Sequence, residues 1–108
     1  MALTRSFKET VQARATNDAA FRQALFQEAI QLLLVGEIGA GRSILRDYIN
    51  ATMGFEALAQ ITQTPPKSLM RMFGPNGNPT VANLFAVINA LQNRTGVHLE
   101  VRAVTEAA

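Results

Sequence analysis

The chain has 108 residues, 48% hydrophobic and 17% charged, with no cysteine, no tryptophan and a formal net charge of +2. That length suits one domain with a real core and is too short for separate cofactor and substrate domains or a full doubly wound nucleotide-binding sheet. The missing cysteines exclude a disulfide framework, a thiol nucleophile and a thiolate metal site, and the apolar fraction is too high for a disordered chain.

The charge says more by position than in total. Residues 1–56 hold six Lys/Arg and six Asp/Glu, and residues 57–108 hold four and two. Between Glu56 and Glu100 there is no acid, only Lys67, Arg71 and Arg94. A neutral half beside a weakly basic half suggests a surface turned to a polyanion. The first eight residues lack the apolar core of a signal peptide, and the run Leu32–Val35 is far short of the roughly 20 residues of a membrane span. A soluble cytoplasmic protein without membrane contact is expected.

The chain reads as helix almost throughout. Ser6 to Ala15 is a short, weak helical stretch. Asn17 and Asp18 form an N-cap pair for a helix over Ala19–Val35, whose apolar residues cover more than one face and predict burial on two sides. Gly36, Gly39 and Gly41 are expected to break it. A helix over Arg42–Met53 follows, with Ile44, Leu45, Tyr48, Ile49 and Met53 as its apolar stripe. Arg42, Arg46, Asp47 and Asn50 face away, and Gly54 ends the helix. Two short helices, Phe55–Thr62 and Pro66–Phe73, leave room only for a tight turn between them. The cluster Gly74–Pro79 is a loop. Asn78 is expected to cap the next helix and Pro79 to begin it, with Leu84, Phe85, Val87, Ile88 and Leu91 as core.

The end changes period. Val97, Leu99, Val101 and Ala103 alternate with His98, Glu100 and Arg102, which predicts a strand over 97–104. A lone strand needs a partner for its backbone groups. The simplest is the same strand of a second copy, antiparallel across a two-fold axis, so these four residues are the expected dimerisation set. Pairing with Ala2-Leu3-Thr4, pairing with another protein, and a frayed tail are the alternatives.

Gly36–Ser43 nearly matches the P-loop pattern, with Arg42 in place of its lysine. The compact ammonium is not replaced by a planar guanidinium, and no parallel sheet is available. A glycine-rich connection between helices is expected here, with no nucleotide, cofactor or metal.

The segment Phe55–Phe73 looks like a helix-turn-helix, in which a second short helix enters the DNA major groove. Ala59 is the small residue where the helices touch, and Leu58, Leu69 and Met72 supply the inner faces. The outer face of the second helix presents Pro66, Lys67, Ser68 and Arg71. The turn usually holds a left-handed glycine, and here Gln63 stands in that place, at a cost of roughly 1–2 kcal/mol.

The continuation Gly74-x-x-Gly77-Asn78-Pro79-Thr80-x-x-Asn83-Leu84-x-x-Val87-Ile88-x-Ala90-Leu91 is similar to the fourth helix of the XRE, or lambda-repressor-like, family. Leu45–Ala59 and Lys67–Thr80 resemble one subgroup, the addiction-module antidote (HigA-like antitoxin) proteins. The resemblance covers residues 43–93. It implies a lambda-repressor-like DNA-binding core over 42–93, and with the elements read above the expected fold is all-α: N-terminal helices over 6–35, that core, and the dimerisation strand. It implies a homodimeric repressor of its own operon, bound to a palindromic double-stranded operator, and the antitoxin of a type II toxin–antitoxin module with a small RelE/HigB-like toxin.

Within that reading Arg71 suits guanine O6 and N7, Ser68 a base or phosphate, and Lys67 a phosphate. Thr80 and Asn83, in the first turn of the next helix, suit a phosphate. Asn76 and Asn78 contact the backbone from the loop or serve as turn and cap residues. The helices over 6–35 either form the toxin surface or complete the core. No enzyme is expected: His98 is the one histidine, and the eight acids are scattered. A phage-type regulator with no toxin partner is the alternative. A helix-turn-helix that has lost DNA contact and serves protein interaction is a third.

Overall fold

The structure, a computed structural model, describes residues 5–107. Asp18 has extended backbone and its carboxylate accepts from the Phe21 N–H at 3.1 Å. It thereby separates α1 (Arg5–Asn17) from α2 (Ala19–Leu34) and satisfies an otherwise orphan donor of the second. Arg22 closes the other side of the joint. Its guanidinium donates to the carbonyls of Ala15 and Thr16 at 2.8 and 3.1 Å, at the end of α1.

α2 ends at Leu34, and Gly36, with a φ of +86°, turns the chain after it. α3 runs Ile38–Ala51, four residues earlier than the glycines suggested. Gly39 and Gly41 therefore lie inside a helix, where each is a poor helix former. Gly41 stays because α2 and α3 cross there. A Cβ on it would lie 2.8 Å from Leu33 Cγ and 2.9 Å from the Ala29 carbonyl oxygen. The P-loop-like stretch is thus a turn and the first half of a helix, and Leu32 and Leu33 before it belong to α2 rather than to a strand.

α2 and α3 share the most extensive helix–helix contact, and α1 touches both. Phe26 and Ala29 of α2 bury against Leu45, Tyr48 and Ile49 of α3. The Phe26 and Tyr48 rings stack with centroids 4.4 Å apart and 9° between planes. Each such buried apolar side chain contributes roughly 1.5–3 kcal/mol by leaving water. The Tyr48 hydroxyl donates to Thr95 Oγ1 at 3.3 Å, and Thr95 donates on to the Leu91 carbonyl at 2.7 Å. Burial raises the Tyr48 pKa above the ordinary tyrosine value, against a smaller lowering by the Thr95 bond.

α4 (Gly54–Thr62) and α5 (Pro66–Met72) follow, then α6 (Val81–Thr95). Phe55, Leu58 and Ala59 of α4, Leu69 of α5, Phe73, and Val87, Ile88 and Leu91 of α6 join the same core. Two expectations for α6 are corrected. The helix starts at Val81, and Thr80 rather than Asn78 is its cap, because the Thr80 hydroxyl reaches the Asn83 N–H at 3.1 Å. Pro79 precedes the cap. Phe85 does not reach the core and is 59% exposed, since α6 turns it outward along a groove.

Among the described residues every regular element is helical, and the fold is all-α. The strand expected over 97–104 is not formed among the described residues, because a ladder needs a second strand and none of these residues runs beside it as one. Instead the Leu99 N–H donates to the Gln92 side chain of α6 at 2.8 Å. Ala2-Leu3-Thr4, the alternative strand partner, lies outside the described residues. No helix among them is long and apolar enough to cross a membrane.

Candidate nucleic-acid interface

The turn between α4 and α5 decides which face α5 shows. Gln63 closes α4 at φ 57° and ψ 38°, the only non-glycine residue with positive φ among those described. This is the conformation expected at that position. Its strain is offset locally: the Gln63 side chain donates to the Gln60 carbonyl at 3.0 Å. The Ala59 carbonyl also accepts from the Thr64 N–H at 3.1 Å. Two prolines then set the entry to α5. Pro65 is extended, and Pro66 takes the first helical position, where a missing N–H is not felt.

Leu69 points into the core, 1% exposed, so the opposite side of α5 is the solvent side. Lys67 and Arg71 are exposed there, one helical turn apart, with Ser68 half-buried beside them and Pro66 half-buried at the start. Met70, 48% exposed, adds an apolar group to α5's outer surface that the sequence pattern did not single out.

The loop after α5 is held by two devices. A Cβ on Gly77 would lie 2.5 Å from the Arg71 carbonyl oxygen and closer still to that of Met72, so only glycine fits against the end of α5. Arg42, expected to face solvent, instead bonds this loop from α3. Its Nη1 donates to the Gly77 carbonyl at 2.9 Å and its Nη2 to that of Pro75 at 3.1 Å. The loop that carries Asn76 and Asn78 is thereby tied to the start of α3.

Arg46, one turn further along α3, was also missed. It lines a shallow depression with Asn50, Phe55 and Met70, and a second with Arg42, Ser43, Phe73, Gly74 and Pro75. Arg42 and Arg46 thus stand beside α5 and its loop, which doubles the cations counted from Lys67 and Arg71 alone. A helical spacing pattern shows that Arg46 is outside the α3 stripe, but not which neighbour that outside faces.

The remaining expected residues are more dispersed. Asn76 and Asn78 are both exposed, and Asn78 lines a separate apolar groove together with Leu99 and Val101. Thr80 and Asn83 are exposed at the start of α6, with the Thr80 hydroxyl already accepting a cap bond. Of the dimerisation set, Val97 and Leu99 are half-buried against the core, and Val101 and Ala103 are exposed. Among the described residues no cluster of three or more His, Asp or Glu is arranged to hold a metal ion.

Compared with protein-family models, with curated proteins and with solved structures, the chain found no match.

Proposed function

We propose that this chain is a DNA-binding transcriptional repressor that reads an operator with α5 and works as the antitoxin of a type II toxin–antitoxin pair. The observation that carries the DNA reading is the α4–α5 pair. A left-handed Gln63 joins two short helices, Leu69 anchors the second, and Lys67 and Arg71 face solvent with the half-buried Ser68 beside them. A helix-turn-helix needs that arrangement to lay its second helix in the major groove.

The chemistry divides by residue type. Arg71 offers the planar fork that matches O6 and N7 of guanine, and Ser68 serves a base edge or phosphate. Met70 offers an apolar contact to a thymine methyl. Lys67, Arg46, Asn76 and the turn at Thr80–Asn83 serve the phosphates, which position the protein without reading sequence. Arg42 acts by holding the loop. With few cations per protomer, a second protomer on a palindrome supplies the missing affinity, with half-sites about one helical turn apart. The C-terminal segment, Val97, Leu99, Val101 and Ala103, is the proposed contact between protomers.

The test is a gel shift on DNA from upstream of the chain's own reading frame. The wild type is expected to bind, and Arg71→Ala to lose most of that binding while keeping its helical circular dichroism. Undiminished binding by Arg71→Ala would remove α5 from the interface.

The antitoxin role rests on the resemblance of Leu45–Ala59 and Lys67–Thr80. One observation favours the alternative of a regulator with no toxin. α2 spends Phe26 and Ala29 on the core, so the N-terminal helices have a structural job already. Co-purification with the product of an adjacent reading frame separates the two. A stable complex supports the antitoxin, and its absence supports the regulator.

A further inference from the structure

Leu34, Ile38, Phe85 and Val101 are 69, 51, 59 and 84% exposed. All four line one groove of about 590 Å³ between the end of α2, the start of α3, α6 and the C-terminal segment. Apolar side chains gathered in this way mark a surface that something covers.

The C-terminal segment indicates what covers it. Leu99 and Val101 line the groove, and Glu100 between them does not. Val97 and Leu99 are half-buried while His98 and Glu100 are exposed, so the segment already presents alternate residues to opposite sides. The Leu99 N–H points to α6, where Gln92 accepts it at 2.8 Å. In an extended chain amides alternate between edges, so those of His98, Glu100 and Arg102 point to the edge turned away from α6.

We propose that this edge pairs antiparallel with the same segment of a second copy, with Val101 opposite the partner's Val101 on the two-fold axis. Charge selects that register. Glu100 then faces the partner's Arg102, and Arg102 faces the partner's Glu100. A register centred on Glu100 would oppose two glutamates, and one centred on Arg102 two arginines, both unfavourable. A register centred on Leu99 pairs His98 with Glu100 but is short, because Gly96 is a left-handed helix cap at φ 78° and the ladder cannot extend through it. The Val101 register runs from Val97 to Thr105.

Directly opposed residues share a face of a sheet. The partner's Leu99, Val101 and Ala103 therefore fall on the side that faces the groove, beside Leu34, Ile38 and Phe85. The inference rests on the dimer of the proposed function and supplies its register and its apolar seat. Its test involves no DNA, so it fails or stands apart from the DNA reading.

The chain has no cysteine, which makes single-cysteine scanning clean. In the full chain under mild oxidation, Val101→Cys is expected to form a covalent dimer far faster than Leu99→Cys or Ala103→Cys, because only a residue on the axis meets itself. In sedimentation experiments Glu100→Arg and Arg102→Glu should each weaken the dimer about tenfold, and the double variant E100R/R102E should restore it. Phe85→Ser, at an exposed site, should weaken the dimer while leaving the thermal midpoint of the monomer unchanged. Faster cross-linking at Leu99→Cys, no rescue by the double swap, or a wild-type chain that stays monomeric at 100 µM-scale concentration (roughly the range where weak interfaces still associate) would each overturn the proposal.

Discussion

At the scale of single residues, one glycine and one left-handed glutamine shape what the candidate interface needs. Gly77 lets the loop fold back on the end of α5, and a side chain there meets two backbone carbonyls that cannot move independently of the helix. Gly77→Ala is expected to lower stability by about 1–3 kcal/mol, the range for forced overpacking, and to blunt DNA binding by displacing Asn76. Urea denaturation checks the first and a gel shift the second. Gln63 behaves in the opposite sense. It holds a left-handed conformation that costs a side-chain-bearing residue roughly 1–2 kcal/mol. Gln63→Gly should therefore be neutral or stabilising by up to about 1 kcal/mol, after the loss of its bond to Gln60 and glycine's extra unfolded-state entropy. A clear loss of stability in the same denaturation experiment would show that the turn depends on the glutamine side chain.

Tyr48 carries a pH prediction. Its pKa is raised in the fold, chiefly by burial, so the fold favours the neutral phenol. That contribution is complete below the ordinary tyrosine value near 10 and is lost as pH rises through the higher folded value. The thermal midpoint should fall as pH passes about 10. Tyr48→Phe should remove that part of the fall, as followed by circular dichroism across an alkaline series.

At the scale of elements, the α2–α3 pair is the platform and α4–α5 the proposed reading head. Gly41 permits the close crossing of the platform, so Gly41→Val should cost about 1–3 kcal/mol by overpacking against Leu33 and the Ala29 carbonyl. α3 also reaches the reading head through Arg42 and Arg46. Arg42→Ala removes two hydrogen bonds to the loop, at 2.9 and 3.1 Å, without touching α5 itself. It is expected to weaken binding to all DNA sequences alike, whereas Arg71→Ala relaxes the preference at one base position. Competition with a mutated operator separates the two effects.

At the scale of the whole molecule, the modest charge of +2 becomes a statement about assembly. Counterion release gives a slope of log affinity on log salt of about −0.9 per phosphate neutralised. Lys67, Arg71, Arg46 and Arg42 set an upper bound near −3.6 per protomer and roughly −7 for a dimer on that scale. Arg46→Ala should reduce the dimer's slope by about 2. Deleting residues 97–108 should leave a folded monomer with the shallow slope and weak binding of one protomer. A truncated chain that still sediments as a dimer would separate assembly from the C-terminal segment.

Much of this was legible from local chemistry. The Asp18 cap, the short α4–α5 pair, the left-handed position of Gln63, the solvent side of α5 and the alternation at 97–103 depend on neighbours a few residues away, and spacing reveals such neighbours. The glycines at 39 and 41 misled because their local preference is to break a helix; Gly41 sits in one because a Cβ there would lie 2.8 Å from Leu33 of α2, while nothing packed against Gly39 requires a glycine. Arg42 and Phe85 were misread for a related cause: periodicity places a residue on or off a stripe, but does not show what stands opposite, and for the same reason the neighbours of Arg46, rightly placed off the α3 stripe, were not legible. A strand over 97–104 could be read as a pattern and still not form, because a ladder needs a second strand and none of the described residues supplies one. The all-helical class and the chemistry offered by α5 were determined by the sequence alone. Which cations stand beside α5, and which apolar side chains remain uncovered, only the tertiary structure decided, since both follow from contacts between residues as far apart as 42 and 77.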